Sequence, residues 1–199
     1  MHLSVENFSV TLLEVGGFAS ALRALRLPFG KAHRSAIRKE LVNNISDYIS
    51  YGSEMLVSDE DIKLLSALVK RGDEHAKVLR GVVVWCEIKA PRYFWQEMDT
   101  YRVGCERLSS ESTMHIQGRG LSEDELVELK ENMPEGTMQK RIWMFSYQTL
   151  RRIYFQRKGH RLPQWRKFCE WIETLPYAKE FILYGDCNHT DKQVSDSDN

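Results

Sequence analysis

Between Gly81 and His115 the chain changes character three times. Gly81-Val82-Val83-Val84-Trp85-Cys86-Glu87-Ile88 is β-branched and apolar, and Lys89-Ala90-Pro91 interrupts it. Tyr93, Phe94 and Trp95 then open an aromatic stretch. After Gly104 the residues are mostly Ser, Glu, Arg and His. Consecutive β-branched and aromatic residues predict a buried strand, and the residues after Pro91 predict a helix. A rigid apolar support that ends in short polar side chains can present them to a ligand with little positional slack. A helix ending in a solvated loop explains the same letters, so the remaining segments have to weigh on function.

A chain of 199 residues is long enough to bury a full core. One domain over 1–185 is expected, with a loose polar tail over 186–199. Lys and Arg total 28 and Asp and Glu total 28, so no global field draws the chain to nucleic acid or to an anionic membrane. Cys86, Cys105, Cys169 and Cys187 stand far apart without a CxxC pair, which argues against a zinc knuckle or a disulfide framework. Reduced thiols in a cytoplasm are expected. The N-terminus lacks a basic-then-apolar signal pattern, and no apolar run approaches the roughly 18 residues that span a bilayer.

The alternation of Leu3, Val5, Phe8, Val10 and Leu12 predicts a strand over residues 3–13, broken at Gly16-Gly17. Ala21, Leu22, Ala24 and Leu25 predict a helix from Phe18 to Leu27, with Arg23 and Arg26 on one face and Pro28 as its end. A further helix is expected over 35–50. Ser58 before Asp59-Glu60-Asp61 reads as an N-cap, with Gly72 as the C-terminal stop. Ser122 and Glu125 form a capping-box signature for a short helix to about Asn132. Beyond Pro134-Glu135-Gly136 one long helix is expected from Thr137 to Arg157, burying Ile142, Phe145, Leu150 and Ile153. A last helix from Pro163 holds Trp165, Phe168, Cys169, Trp171 and Ile172, and Pro176 splits off Phe181-Ile182-Leu183.

Several polar groups admit two readings. Arg157 is either an anion ligand or a cation at a helix C-terminus. Arg102 either faces a ligand or pairs with Glu97 or Asp99. Ser109, Ser110, Ser112 and Thr113 surround Glu111 in an expected loop, where clustered hydroxyls hold a phosphate or simply close a turn. Cys105 with His115 lacks the further ligand that a metal requires, and neither this pair nor Cys187 with His189 has a catalytic signature. Lys140, Arg141, Arg151, Arg152, Arg157, Lys158 and Arg161, interleaved with Trp143, Tyr147, Tyr154 and Phe155, would track a phosphodiester backbone if they shared one helix over 140–161.

Four collinear segments carry a resemblance. Ala21-Leu22-Arg23-Ala24-Leu25-Arg26-Leu27, the helix Leu64 to Glu74, the stretch Val84 to Arg102, and the run from Pro134 through Trp143 and Arg157 to Gln164-Trp165 together resemble the flavin-dependent thymidylate synthases. The resemblance implies an α+β fold, a central mostly antiparallel sheet flanked by helices. It also implies a homotetramer with active sites between subunits. The implied reaction is C5 methylation of dUMP with FAD, NADPH and methylenetetrahydrofolate, which requires a cationic pocket for the nucleotide. Arg102, Arg157 and Glu97 would then bind the pyrimidine nucleotide, Ser110, Glu111 and Ser112 would complete the catalytic loop, and Tyr101, Arg102, Glu74 and His160 would face the cofactor. Thr100 and Tyr101 stand where the family carries Arg and His, and Ser146 and Gln148 stand where it carries Asn and Arg. A nucleotide-binding relative without flavin is the alternative.

Overall fold

The computed structural model describes residues 3–32 and 57–184. The helix expected over 35–50, the tail over 186–199 and the Cys187–His189 pair lie outside the described residues. Among those described, one sheet of four antiparallel strands is flanked by helices, an α+β architecture.

The sheet has the order β1-β2-β4-β3, with β1 Ser9–Gly16, β2 Val83–Pro91, β3 Cys105–Ser110 and β4 Met138–Ser146. The β2–β4 ladder runs in unbroken register from Val83 opposite Ser146 to Pro91 opposite Met138. Val84, Cys86, Ile88 and Ala90 alternate into the core on β2, and Trp143 and Phe145 do so on β4. That period of two is what a strand with one helix-covered face requires. The edge strands each carry a bulge, between Leu12 and Glu14 and between Arg107 and Ser109. Leu13 and Leu108 fall in those bulges and are half exposed, the usual outcome where an extra residue leaves the ladder.

The helices are α1 Leu3–Glu6, α2 Phe18–Arg26, α3 Asp59–Val69, α4 Arg92–Met98, α5 Thr113–Ile116, α6 Glu123–Glu131, α7 Tyr147–Arg157, α8 Pro163–Glu173 and α9 Ala178–Phe181. Ser58 accepts the Asp61 N–H and caps α3, and the Ser122–Glu125 box is complete at α6. Asp61 is buried and would be costly there if unpaired. Arg26 Nε at 2.6 Å and Ser58 Oγ at 3.0 Å satisfy its two oxygens. The core under the sheet is aromatic: Phe94 packs against Phe8, Trp95, Trp165 and Phe168, and Trp143 stacks between Trp95 and Phe145.

Three sequence expectations are corrected. Residues 3–6 form one helical turn, and the first strand runs from Ser9 to Gly16. The loop expected around Ser109 and Ser110 is edge strand β3, held by pairing to β4 rather than by its own propensity. The helix expected over 137–157 is two elements, β4 followed at once by α7, because Ser146 caps the helix by accepting the Thr149 N–H. The basic series therefore does not share one helix. Lys140 and Arg141 lie on the strand, and Arg151 is buried, donating to Asp73 and to the carbonyls of Ile182 and Tyr184. A phosphodiester track on 140–161 loses its geometric basis.

Gly17, at φ +92°, carries the chain from β1 into α2 with its Cα against the Gly81 carbonyl, where a Cβ would collide. Gly17→Ala therefore costs about 3 kcal/mol in urea unfolding; an unchanged midpoint would contradict this packing.

Candidate functional site

Strand β2 ends where α4 begins. The first N–H groups of α4 are anchored on the residues before β4: Arg92 donates to the Thr137 carbonyl at 3.1 Å and Tyr93 to the Glu135 carbonyl at 3.2 Å. This fixes the rotation of α4. Phe94, Trp95 and Met98 are buried, while Arg92, Trp95, Gln96 and Asp99 occupy positions i, i+3, i+4 and i+7 along one stripe. That stripe forms one wall of a 420 Å³ hollow. Met138, Gln139 and Arg141 of β4 supply a second wall, and the segment through α5 and α6 closes it with Glu111, Ile116, Gln117 and Lys130.

Arg141 is pinned in the hollow on three sides. Its Nη1 donates to both Asp99 oxygens at 3.2 and 3.1 Å, its Nε donates to Gln139 Oε1 at 3.0 Å, and its guanidinium lies 4.5 Å over the Trp95 ring. Burial lowers the Arg141 pKa from its ordinary value and the neighbouring Arg107 charge adds to this, while the hydrogen bonds and charge of Asp99 oppose it. Asp99 also meets Arg107 at 3.7 Å. Two further cations line the hollow with less compensation. Arg92 meets Glu135 at 3.8 Å with both side chains well exposed, and Lys130 makes no ion pair among the described residues.

A second polar centre lies where the end of α4 meets the ends of α7 and α8. Glu97 Oε2 accepts from Arg157 Nη1 at 2.7 Å and from Trp165 Nε1 at 2.9 Å, with His160 Nε2 at 3.5 Å. Arg157 Nε donates to the Tyr101 hydroxyl at 2.8 Å, and that hydroxyl donates to Gln156 at 3.0 Å. The guanidinium also lies 4.6 Å over Trp165. His160 Nδ1 accepts the Leu162 N–H at 3.2 Å, and its Nε2 lies 2.9 Å from Arg157 Nη1.

The residues singled out from sequence thus fall into separate groups. Glu97, Tyr101, Arg157 and His160 converge, but on one another. Arg102 lies apart from Arg157, in a shallow 410 Å³ cleft with Asp99, Tyr101, Cys105, Glu106, Arg107 and Trp143. The expected meeting of Arg102 and Arg157 across one cleft does not occur within the protomer; Tyr101 stands between them, its ring lining the cleft and its hydroxyl holding Arg157. Neither Glu97 nor Asp99 pairs with Arg102, because each is engaged by a different Arg.

The Ser-rich segment is likewise ordered differently from a loop. Glu111 extends the β3–β4 ladder: its N–H donates to the Lys140 carbonyl, and its Oε2 accepts the Lys140 N–H. Ser110 pairs with Arg141 in the ladder, and Ser112 caps α5 while its hydroxyl meets His115 Nδ1 at 2.8 Å. Glu74 is exposed after α3. Cys105 donates its S–H to the Tyr101 carbonyl, so Cys105 and His115 are engaged with different partners. Sequence reasoning missed Arg92 and Lys130, and placed Arg141 only in a basic helical series. The 92/95/96/99 stripe carried the signal, since a Trp and a carboxylate four residues apart on one helical face leave room for a cation between them.

The Glu97 centre is partly solvated, Glu97 being 33% and Arg157 19% exposed. After discounting for that screening, Glu97→Gln costs about 1–2 kcal/mol in urea unfolding, because it leaves Arg157 without its carboxylate; a loss below the error of the measurement would show the pair to be energetically idle. The thiols make a separate test. Burial pushes Cys169 up to about 12 and Cys105 up to about 11, the latter helped by Glu106, and drives Cys86 higher still. Since only the thiolate reacts, these three stay protonated and unreactive toward a disulfide reagent at pH 8 until the protein is unfolded. Native labelling of any of them, mapped by peptide mass, would contradict their burial.

No protein-family model matches the chain, and no curated protein matches it. Among solved structures it is similar to two crystal structures of the flavin-dependent thymidylate synthase ThyX from Helicobacter pylori, complexed with FAD and dUMP. Each is 14% identical at a TM-score of 0.61, covering 87% of this chain and 97% of that chain. It is also similar to the UMP/dUMP methylase PolB from Streptomyces cacaoi bound with 5-Br dUMP, 12% identical at a TM-score of 0.56, covering 87% of this chain and 91% of that one. At this identity the likeness establishes the fold: the described residues adopt the α+β architecture of the flavin-dependent thymidylate synthases.

Proposed function

We propose that the chain binds a pyrimidine nucleoside monophosphate of the dUMP type, with the phosphate in the hollow between α4, β4 and the α5–α6 segment. The observation that carries this reading is the presence, in one 420 Å³ hollow, of the weakly compensated cations Arg92 and Lys130 beside the held guanidinium of Arg141. A phosphate monoester wants charge-assisted donors, and a base wants a few oriented polar groups. That solved structures of the same fold hold dUMP or 5-Br dUMP supports the choice of nucleotide. Glu111 of the anticipated Ser110-Glu111-Ser112 set lies at the rim. The Glu97–Arg157 centre and Arg102 belong to the same proposal as surfaces that a neighbouring subunit of a homotetramer would complete.

A flavin fits this chain less well. Its pyrophosphate needs clustered cations or N–H donors. Of the four positions that the resemblance assigns to the cofactor, Arg102 alone is an exposed cation. Tyr101 and His160 turn inward on Arg157 and Glu97, and Glu74 is an acid. This donor set does not make a cradle for FAD. The second reading, C5 methylation of the nucleotide with FAD, NADPH and methylenetetrahydrofolate, draws its support from the FAD complexes of the same fold.

Titration with dUMP separates the readings. At about 100 times the dissociation constant, dUMP should add about 2.7 kcal/mol of stability. Lys130→Ala should weaken dUMP by about 10- to 100-fold while leaving deoxyuridine unaffected, as loss of a charge-assisted phosphate contact requires. Protein purified without flavin colour that still binds dUMP supports the first reading; a bound visible chromophore supports the second. The absence of any thermal shift with dUMP would overturn nucleotide binding.

A further inference from the structure

The hollow separates two kinds of cation, and the difference bears on what part of a ligand each can read. Arg92 and Lys130 carry charge that their neighbours offset weakly. Arg141 is held by Asp99, a carboxylate that it shares with Arg107, so what distinguishes it in the hollow is a fixed donor orientation.

We propose that Arg141 is a specificity-determining residue of this hollow, selecting a base that presents a carbonyl oxygen where a rival base presents an amino group. The inference rests on the nucleotide reading above. Three features of the site carry it. First, the guanidinium cannot turn away: Nε and Nη1 are held by Gln139 and Asp99, and the plane rests on Trp95, leaving Nη2 without a partner among the described residues. Second, Gln139 cannot flip to offer an acceptor instead. Its Nε2 donates to the Glu111 carbonyl at 2.7 Å while its Oε1 accepts from Arg141, so both ends of the amide are engaged. Third, a guanidinium has donors and no acceptor. A uracil-type base offers it a carbonyl at C4. A cytosine-type base offers an amino group there, so two donors face each other in a partly dry pocket, and both lose their water without gaining a partner.

Asp99 is in this account a positioning residue. It acts by holding Arg141 Nη1, which leaves Nη2 as the guanidinium nitrogen without a partner among the described residues. The two 3.1–3.2 Å contacts to Nη1 and the stacking on Trp95 act together, since neither alone fixes both the tilt and the azimuth of a planar group.

The experiment is a calorimetric titration of the full chain with dUMP, dCMP and deoxyuridine, on wild type, Arg141→Gln and Asp99→Asn, with a thermal melt of each protein as a control for folding. Wild type is expected to prefer dUMP over dCMP by about 10- to 100-fold. Arg141→Gln, which supplies a donor and an acceptor, is expected to bring the two within about threefold while leaving the ratio of dUMP to deoxyuridine as it was. Asp99→Asn is expected to reduce the base preference in the same way. A structural role for Arg141 would weaken all ligands alike and leave the base preference intact, which would overturn the proposal. Equal binding of dUMP and dCMP by wild type would overturn it too, with the nucleotide reading left standing. Binding of neither nucleotide by wild type would remove that reading and the assignment of Arg141 with it.

Discussion

The unbroken ladder between β2 and β4 decides where every polar group of this molecule can lie. Because the two strands run antiparallel in one register, the helix that follows each leaves from an opposite end: α4 beyond Pro91, beside Met138, and α7 beyond Ser146, beside Val83. The two helices therefore lie along the same face of the sheet from opposite ends, and the end of α4 meets the end of α7. Glu97 and Arg157 are distant in sequence and bonded in space for this reason. A one-residue slip of the ladder would turn Trp143 and Phe145 to the other face and take the aromatic core with them.

What sequence reasoning could reach follows from whether a signal was local. The N-caps at Ser58 and Ser122, the strand through Ile88 and the aromatic helix after Pro91 are set by residues within one or two turns of each other, and all are found where expected. Strand β4 was misread because Ile142-Trp143-Met144-Phe145 is a continuous apolar run, compatible with either period, and no turn separates it from α7. Its strand state comes from β2 on one side and β3 on the other, which are partners remote in the chain. Strand β3 is the extreme case. Only Cys105 in it is buried, so Ser, Glu and Arg can occupy an edge strand whose existence depends on the neighbour.

At the site, the residue types were legible and their partners were not. Arg157, Glu97, Tyr101 and His160 were each picked as ligand-facing groups, and the fold instead joins them to one another. A charged side chain in sequence has no visible counter-charge; only the tertiary crossing of α4, α7 and α8 shows that Glu97 answers Arg157. The converse error hid Arg92 and Lys130 and gave Arg141 the wrong setting. Each looks in sequence like an ordinary solvating cation, and each becomes a wall of the hollow only through the anchoring of α4 on Glu135 and Thr137.

The stacked pair Trp95 and Trp143 sits between the two cavities, one ring lining each, 6.5 Å apart and nearly parallel. Both indole N–H groups are buried without a partner among the described residues. An unsatisfied buried donor costs about 1–3 kcal/mol, a cost that a fold tolerates where apolar packing gains more. Here the gain is a rigid aromatic partition: it buries two large rings, supports Arg141 by a cation–π contact, and keeps Asp99 on the rim shared by both cavities. The polar groups at the surface thus rest on an apolar wall whose own polar atoms are sacrificed. The positions of Arg141 and Asp99 are consequently set by core packing rather than by the flexible ends of their side chains.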